Sequence, residues 1–135
     1  MLYLTRRERF NAAHKLYNPA WSIEKNETVF GKCSNANWHG HNYDLYITVK
    51  GEPDPDTGFL MNVKELSYII KTTVLDKVDH RNLNLDVDFM QGIIPSTENL
   101  AKAIWQQLFP YITDCKLHCV KIYETENIYV EYFGE

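Results

Sequence analysis

The chain has no apolar stretch long enough to span a bilayer, so no membrane-spanning helix is expected. Its first ten residues carry charges where a signal peptide needs an apolar region, and a cytoplasmic protein is the expectation. Cysteine is scarce: Cys33, Cys115 and Cys119 are an odd set with no C-x-x-C pair. That disfavours both a disulfide framework and a cysteine-rich structural zinc site, and favours reduced thiols. Positive charge is also short. Fourteen Lys and Arg against 18 Asp and Glu give a net charge of -4, which argues against a nucleic-acid partner. The one dense basic run, Arg6, Arg7 and Arg9, fits a solvated strand face. Internal repeats, low-complexity tracts and linkers are absent, so residues 1–135 read as one domain.

What the chain does have is period. His39, His41, Tyr43, Leu45, Ile47 and Val49 alternate with Gly40, Asn42, Asp44, Tyr46, Thr48 and Lys50, the pattern of a half-buried strand. Residues 2–13 read as a second strand, with Leu2, Leu4, Phe10 and Ala12 in one set. Residues 16–36, rich in Asn, Ser and Glu, read as a long loop. Asn62 caps a helix whose apolar stripe is Val63, Leu66, Ile70, Thr73 and Val74. Residues 80–95 form a second long connection. Ser96 or Thr97 then caps a helix that buries Leu100, Ala103, Ile104 and Leu108, and Pro110 stops it. Residues 116–124 and 128–133 close the chain as a hairpin. The order β-β-α-α-β-β predicts an α+β fold, a four-stranded antiparallel sheet with two helices on one face.

Chemistry gathers on the alternating face. His39 and His41, two residues apart on a strand, stand roughly 6.5–7 Å from each other along it and can converge on one ion. His14, ending the preceding apolar-polar segment, supplies a third imidazole, the usual count for a catalytic zinc with one open position. Cys33 lies in the polar Gly31-Lys32-Cys33-Ser34-Asn35 segment, a poor setting for a core residue; it is a fourth ligand, a nucleophile or a base. Asp79-His80 reads as helix-end chemistry or as a proton relay. Glu124 shares a strand face with Val120 and Ile122, so its carboxylate needs a partner. A salt bridge would serve, as would a ligand offering two N–H donors, such as the edge of a pterin or purine. Cys115 and Cys119 lie on one face and His118 on the other, a poor geometry for a metal.

These residues fall in segments that resemble the 6-pyruvoyltetrahydropterin synthase family, which includes the 6-carboxytetrahydropterin synthases of queuosine biosynthesis. The segments are Phe10-Asn11-Ala12-Ala13-His14, Gly31-Lys32-Cys33, His39-Gly40-His41-Asn42-Tyr43, Val78-Asp79-His80-Arg81-Asn82-Leu83-Asn84, Pro95-Ser96-Thr97-Glu98-Asn99 and Tyr123-Glu124-Thr125. They run in order over essentially the whole chain. The resemblance implies a tunnelling fold whose sheets join into a barrel in a homohexamer, a dimer of trimers with active sites between subunits. It implies His14, His39 and His41 as Zn2+ ligands, Cys33 as the proton-abstracting thiol and Asp79 with His80 as its relay. Glu124 would anchor the pterin ring, with Thr97 and Glu98 lining the pocket. The implied substrate is 7,8-dihydroneopterin triphosphate, whose triphosphate can bring Mg2+ with it. The implied reaction is triphosphate elimination with internal redox. Five residues between Cys33 and His39 resemble the pyruvoyl-forming branch. Trp38 departs from the small residue expected there. The carboxy-forming reaction and a non-catalytic pterin- or purine-binding oligomer are the alternatives, and a cysteine hydrolase using Cys33 and His80 is a third.

Overall fold

The computed structural model describes residues 1–135 as one five-stranded sheet packed against helices. Strand β1 (Leu2–His14) pairs antiparallel with β2 (His39–Gly51) along its full length, from Leu2 opposite Gly51 to His14 opposite His39. Strand β4 (Lys116–Thr125) pairs with β2, and β5 (Ile128–Tyr132) pairs with β4, both antiparallel. Between them run helix α1 (Ile23–Phe30), helix α2 (Val63–Ile70), the two-residue strand β3 (Arg81–Asn82) and helix α3 (Thr97–Leu108). The sheet order is β3-β1-β2-β4-β5. No helix is long and apolar enough to cross a membrane.

The core follows from the alternation. Leu45, Ile47 and Val49 of β2, with Val120 and Ile122 of β4, are fully buried against Leu66 and Ile70 of α2 and Leu100, Ile104 and Leu108 of α3. Each such side chain contributes roughly 1.5–3 kcal/mol on leaving water. The opposite face of β1 and β2 is polar: Arg7 and Arg9 pair with Asp44 at 3.1 and 2.9 Å, as expected of a solvated basic run. Ion pairs this exposed stabilise little.

Three features differ from the sequence expectation. The sheet has a fifth strand: β3, within the connection 80–95, pairs parallel to β1 through Ala12–Arg81 and Ala13–Asn82. A two-residue strand carries no periodicity to read. Second, residues 16–36 are not a plain loop. Ser22 accepts from the Lys25 N–H at 3.1 Å and caps α1, and Gly31–Ser34 continues as a 3-10 turn. What anchors this helix is polar: Asn26 is wholly buried and bonds to the backbone of Asn18 and Ser22. Third, α2 passes into a π turn over Lys71–Leu75 before its last turn at Asp76–Val78. The Thr72 and Thr73 hydroxyls donate back to the carbonyls of Tyr68 and Ile69 at 2.9 and 2.7 Å. Thr73 and Val74 are both buried, as the predicted stripe has them, whereas Val63, at the first position of α2 and also placed in that stripe, is exposed.

Candidate metal centre and active site

The last rung of the β1–β2 ladder is a pair of histidines, His14 opposite His39. Two residues along β2, on the same face, is His41. The three rings pack edge to face with centroids 4.5–5.1 Å apart. Each offers one nitrogen, and these nitrogens all lie within 4.8 Å of one another. No other group of histidine, cysteine and acidic side chains in the molecule converges in this way.

Hydrogen bonding fixes how His14 presents itself. Its Nδ1 is 2.8 Å from the Pro95 carbonyl, which can only accept, so Nδ1 carries the proton and Nε2 the lone pair. An outer-shell carbonyl that orients a ligating imidazole is the usual support of a metal site. His14 Nε2, His39 Nδ1 and His41 Nε2 are buried without a hydrogen-bond partner, the Glu124 carboxylate oxygen 3.4 Å from the last lying outside hydrogen-bond geometry. Buried polar atoms are seldom left so, and a divalent ion bound by neutral imidazoles satisfies such a set. Burial, then mutual repulsion with the neighbouring imidazoles, lowers the pKa of His14 and of His39, although the Pro95 contact opposes this at His14. Both rings are therefore held in the neutral state that binds metal.

That protonation state has a measurable consequence for the metal-free protein. Unfolded histidines titrate near 6.5, whereas His14 and His39 resist protonation in the fold. Below pH 6.5 the unfolded chain thus binds more protons than the native one, and stability falls as pH is lowered through that value. Urea midpoints of the metal-free protein should decline between pH 7 and pH 5. A flat profile would show that these rings are not buried neutral.

Glu124 reaches the same face from β4. It lies at the register irregularity between Tyr123 and Thr125, and such bulges re-aim side chains next to sites. Its Oε1 stands 3.4 Å from His41 Nε2. Its Oε2 accepts from the hydroxyl of Thr97, itself buried. Ser96 is the residue that caps α3, accepting from the Asn99 N–H at 3.2 Å, which leaves Thr97 free for the carboxylate. Glu98, next in the first turn, is exposed. The Tyr43 hydroxyl, 3.5 Å from His14 Nδ1, closes the buried side of the cluster, and burial raises its pKa.

Cys33 sits half-buried in the Gly31–Ser34 turn. Its carbonyl accepts from the Leu16 N–H at 2.7 Å, which ties the turn to the chain just past His14. Asp79 and His80 form a dyad, with His80 Nδ1 at 3.1 Å from Asp79 Oδ2. Partial burial works against the Asp79 carboxylate, but bonds from the Asn11 N–H and from His80 outweigh it and lower its pKa. His80 Nε2 lies 3.4 Å from the Asn11 side-chain amide. Asn11 belongs to the β1 set that alternates with Phe10, Ala12 and His14, so the dyad lies on the opposite face of the sheet from the three histidines. Within one chain the structure brings together His14, His39, His41, Glu124 and Thr97, and it keeps Asp79 and His80 apart from them. Sequence reasoning missed the Pro95 carbonyl and Asn11; backbone carbonyls carry no sequence signal, and Asn11 was distinguishable only by its alternation with His14. Cys115, His118 and Cys119 form no metal group: the thiols are free and His118 packs against Tyr3 and Phe133.

Comparison with known proteins agrees with this geometry. The family model described as 6-pyruvoyl tetrahydropterin synthase matches residues 3–135. The chain is 50% identical over 132 residues to a 6-pyruvoyl tetrahydrobiopterin synthase of Dictyostelium discoideum, covering 98% of this chain and 96% of that one. It is 36% identical over 109 residues to a 6-carboxy-5,6,7,8-tetrahydropterin synthase of Bacillus subtilis, covering 76% of this chain and 70% of the other. Among solved structures, the 6-pyruvoyl tetrahydropterin synthase of Caenorhabditis elegans superposes with a TM-score of 0.94 at 35% identity, covering 99% of this chain and 96% of that one. The alternating strand that sets the histidines, the carboxylate beside them and the match along the whole chain converge: the protein belongs to the 6-pyruvoyl tetrahydropterin synthase family.

Proposed function

We propose that this chain is a zinc-dependent lyase that converts 7,8-dihydroneopterin triphosphate to 6-pyruvoyltetrahydropterin and triphosphate. The observation that carries the proposal is the set of three unpartnered imidazole nitrogens beside the Thr97-bound carboxylate of Glu124. Zinc bound by His14, His39 and His41 would supply Lewis acidity to the substrate's side-chain hydroxyls. Glu124 accepts two N–H bonds from the pterin ring, and Thr97 fixes the carboxylate for that purpose; Glu98 lines the rim. Cys33, as thiolate, takes the proton from the carbon beside a hydroxyl. Asp79 orients His80 through Nδ1, leaving Nε2 to carry the proton onward. Triphosphate leaves with its bonding electrons, and the two hydroxyl carbons become carbonyls as the dihydro ring becomes tetrahydro. Electrons and protons balance within the substrate, so no external redox cofactor is needed. Mg2+ accompanies the triphosphate.

The position of the Asp79–His80 dyad beside Asn11, on the face of the sheet opposite the three histidines, supports an assembly in which a neighbouring copy supplies the dyad. The free edges support it too: β3 covers β1 only at Ala12 and Ala13, and β5 leaves its outer edge unpaired. The proposed state is a homohexamer, a dimer of trimers with sheets closed into a barrel, working in the cytoplasm.

The pyruvoyl product is favoured by the 50% identity to a pyruvoyl-forming relative along nearly the full length, against 36% over a shorter match to a carboxy-forming one. Incubating the pure protein with 7,8-dihydroneopterin triphosphate and weighing the pterin by mass spectrometry tests this. The pyruvoyl mass is expected; the carboxy mass would transfer the chain to the queuosine branch, and bound pterin without triphosphate release would make it a binding protein. Glu124→Ala is expected to raise KM by roughly 10–100-fold with a smaller change in kcat, because ring recognition persists from ground state to transition state. Unchanged affinity would remove Glu124 from the ring site.

A further inference from the structure

Trp38 has a φ of 68°, in the left-handed region where a bulky side chain is strained. It directly precedes His39, and its N–H donates to the Asn35 carbonyl at 3.2 Å. Its ring lies 4.5 Å from the Lys15 ammonium, which also stands 5.2 Å from the ring of Tyr17. The Lys15 backbone is held from the other side: its N–H donates to Asn84 Oδ1 at 3.0 Å, and Asn84 Nδ2 donates to its carbonyl at 3.1 Å. Lys15 has no carboxylate partner, unlike Lys71 and Lys77, which pair with Asp76 and Asp88. A strained backbone persists only where its surroundings over-determine it, and such residues gather at ligand clamps. Here the strained residue and the braced cation flank the metal residues His14 and His39 in sequence.

Order along the strands gives this cation a task. Glu124 follows Tyr123, which pairs with Asp44, and its carboxylate meets His41. His14 and His39 form the last rung of the β1–β2 ladder, and Lys15 and Trp38 take the next step beyond it. From the Tyr43 row to the Trp38 row is about 16 Å at strand spacing. A ligand whose ring sits at Glu124 and whose hydroxyls sit at the histidines extends its far end past the strand ends, toward Lys15.

We infer that Lys15, braced by Trp38 and Tyr17, receives the triphosphate and sets the preference for phosphorylated over unphosphorylated pterins. The inference rests on the ring and metal placement proposed above. The test compares zinc-loaded wild type with Lys15→Ala, Lys15→Arg and Trp38→Gly. The probes are 7,8-dihydroneopterin triphosphate as substrate, with unphosphorylated 7,8-dihydroneopterin and inorganic triphosphate as competitors. Lys15→Ala is expected to raise KM about tenfold, the size of one charge-assisted contact, and to weaken inorganic triphosphate equally while leaving inhibition by dihydroneopterin unchanged. Lys15→Arg should recover most of the loss. Trp38→Gly relieves the left-handed strain, so its melting temperature should not fall, yet KM should rise about threefold as the cation loses its aromatic brace. Turnover with triphosphate inhibition untouched by Lys15→Ala would overturn the anion site alone. Lys15-dependent binding of inorganic triphosphate by a protein without turnover would sink the lyase reading and leave the anion site standing.

Discussion

Replacing His39 with alanine is expected to abolish metal binding and nearly all turnover while leaving the fold intact. His39 is the middle of the site: it faces His14 across the ladder and shares a strand face with His41. Without it, two imidazoles remain, one of them beside the Glu124 carboxylate. Loss of an outer-shell partner alone typically costs a metal site 10- to 100-fold in affinity, and loss of a direct ligand costs more. Lewis-acid assistance is worth several kcal/mol of barrier, so turnover should fall by about 10³-fold or more. His39 is only half-buried and lies at the strand end, so circular dichroism and the melting temperature should stay near wild type. A His39→Ala protein that keeps full zinc content and activity would refute the site. Chelation provides the same contrast without mutation. Activity lost to a chelator and restored by zinc fits the lyase, whereas activity that survives chelation fits a cysteine hydrolase.

The second large effect concerns Cys33. Cys33→Ala should lower turnover by roughly 10²- to 10⁴-fold, the usual worth of a positioned acid or base. Zinc content and pterin affinity should stay unchanged, because the thiol is not among the converging ligands and the polar contacts of Glu124 are with Thr97 and His41. His80→Ala should behave similarly. The sheet adds a sharper expectation. If His80 serves the histidine face of a neighbouring copy, oligomers assembled from a Cys33→Ala chain and a His80→Ala chain contain some sites with both wild-type groups. Mixed refolding of the two inactive variants should therefore restore part of the activity. Mixed oligomers that form, bind zinc and remain inactive would place thiol and dyad in the same chain's site or remove one of them from the reaction.

Much of this was legible in the sequence because strand periodicity maps residues to faces. The alternation of β2 set His39 and His41 with Tyr43 and Leu45 on the buried side, and the same rule placed Glu124 with Val120 and Ile122. The convergence of His14 followed from its place at the strand end. What the sequence hid has physical reasons. Helix α1 is anchored by a buried asparagine rather than an apolar stripe. The π turn, where threonine hydroxyls bond back to the preceding turn, has no period of its own to read. The bulge at Glu124 and the Pro95 carbonyl are backbone features. The face occupied by His80 depends on a loop leaving α2 and on Asn11, and no period runs through a loop. The resemblance joined Cys33, Asp79 and His80 into one relay; within one chain Asp79 and His80 bond to Asn11 and to each other.

The account stands on three imidazoles placed to share one divalent ion. Anomalous diffraction at the zinc edge, on crystals of the protein grown with zinc, addresses this directly. One peak per chain is predicted, about 2.0–2.1 Å from a nitrogen of each of His14, His39 and His41, with Nε2 as the His14 ligand. A density-free cluster in zinc-saturated crystals, or a peak held by other residues, would contradict it.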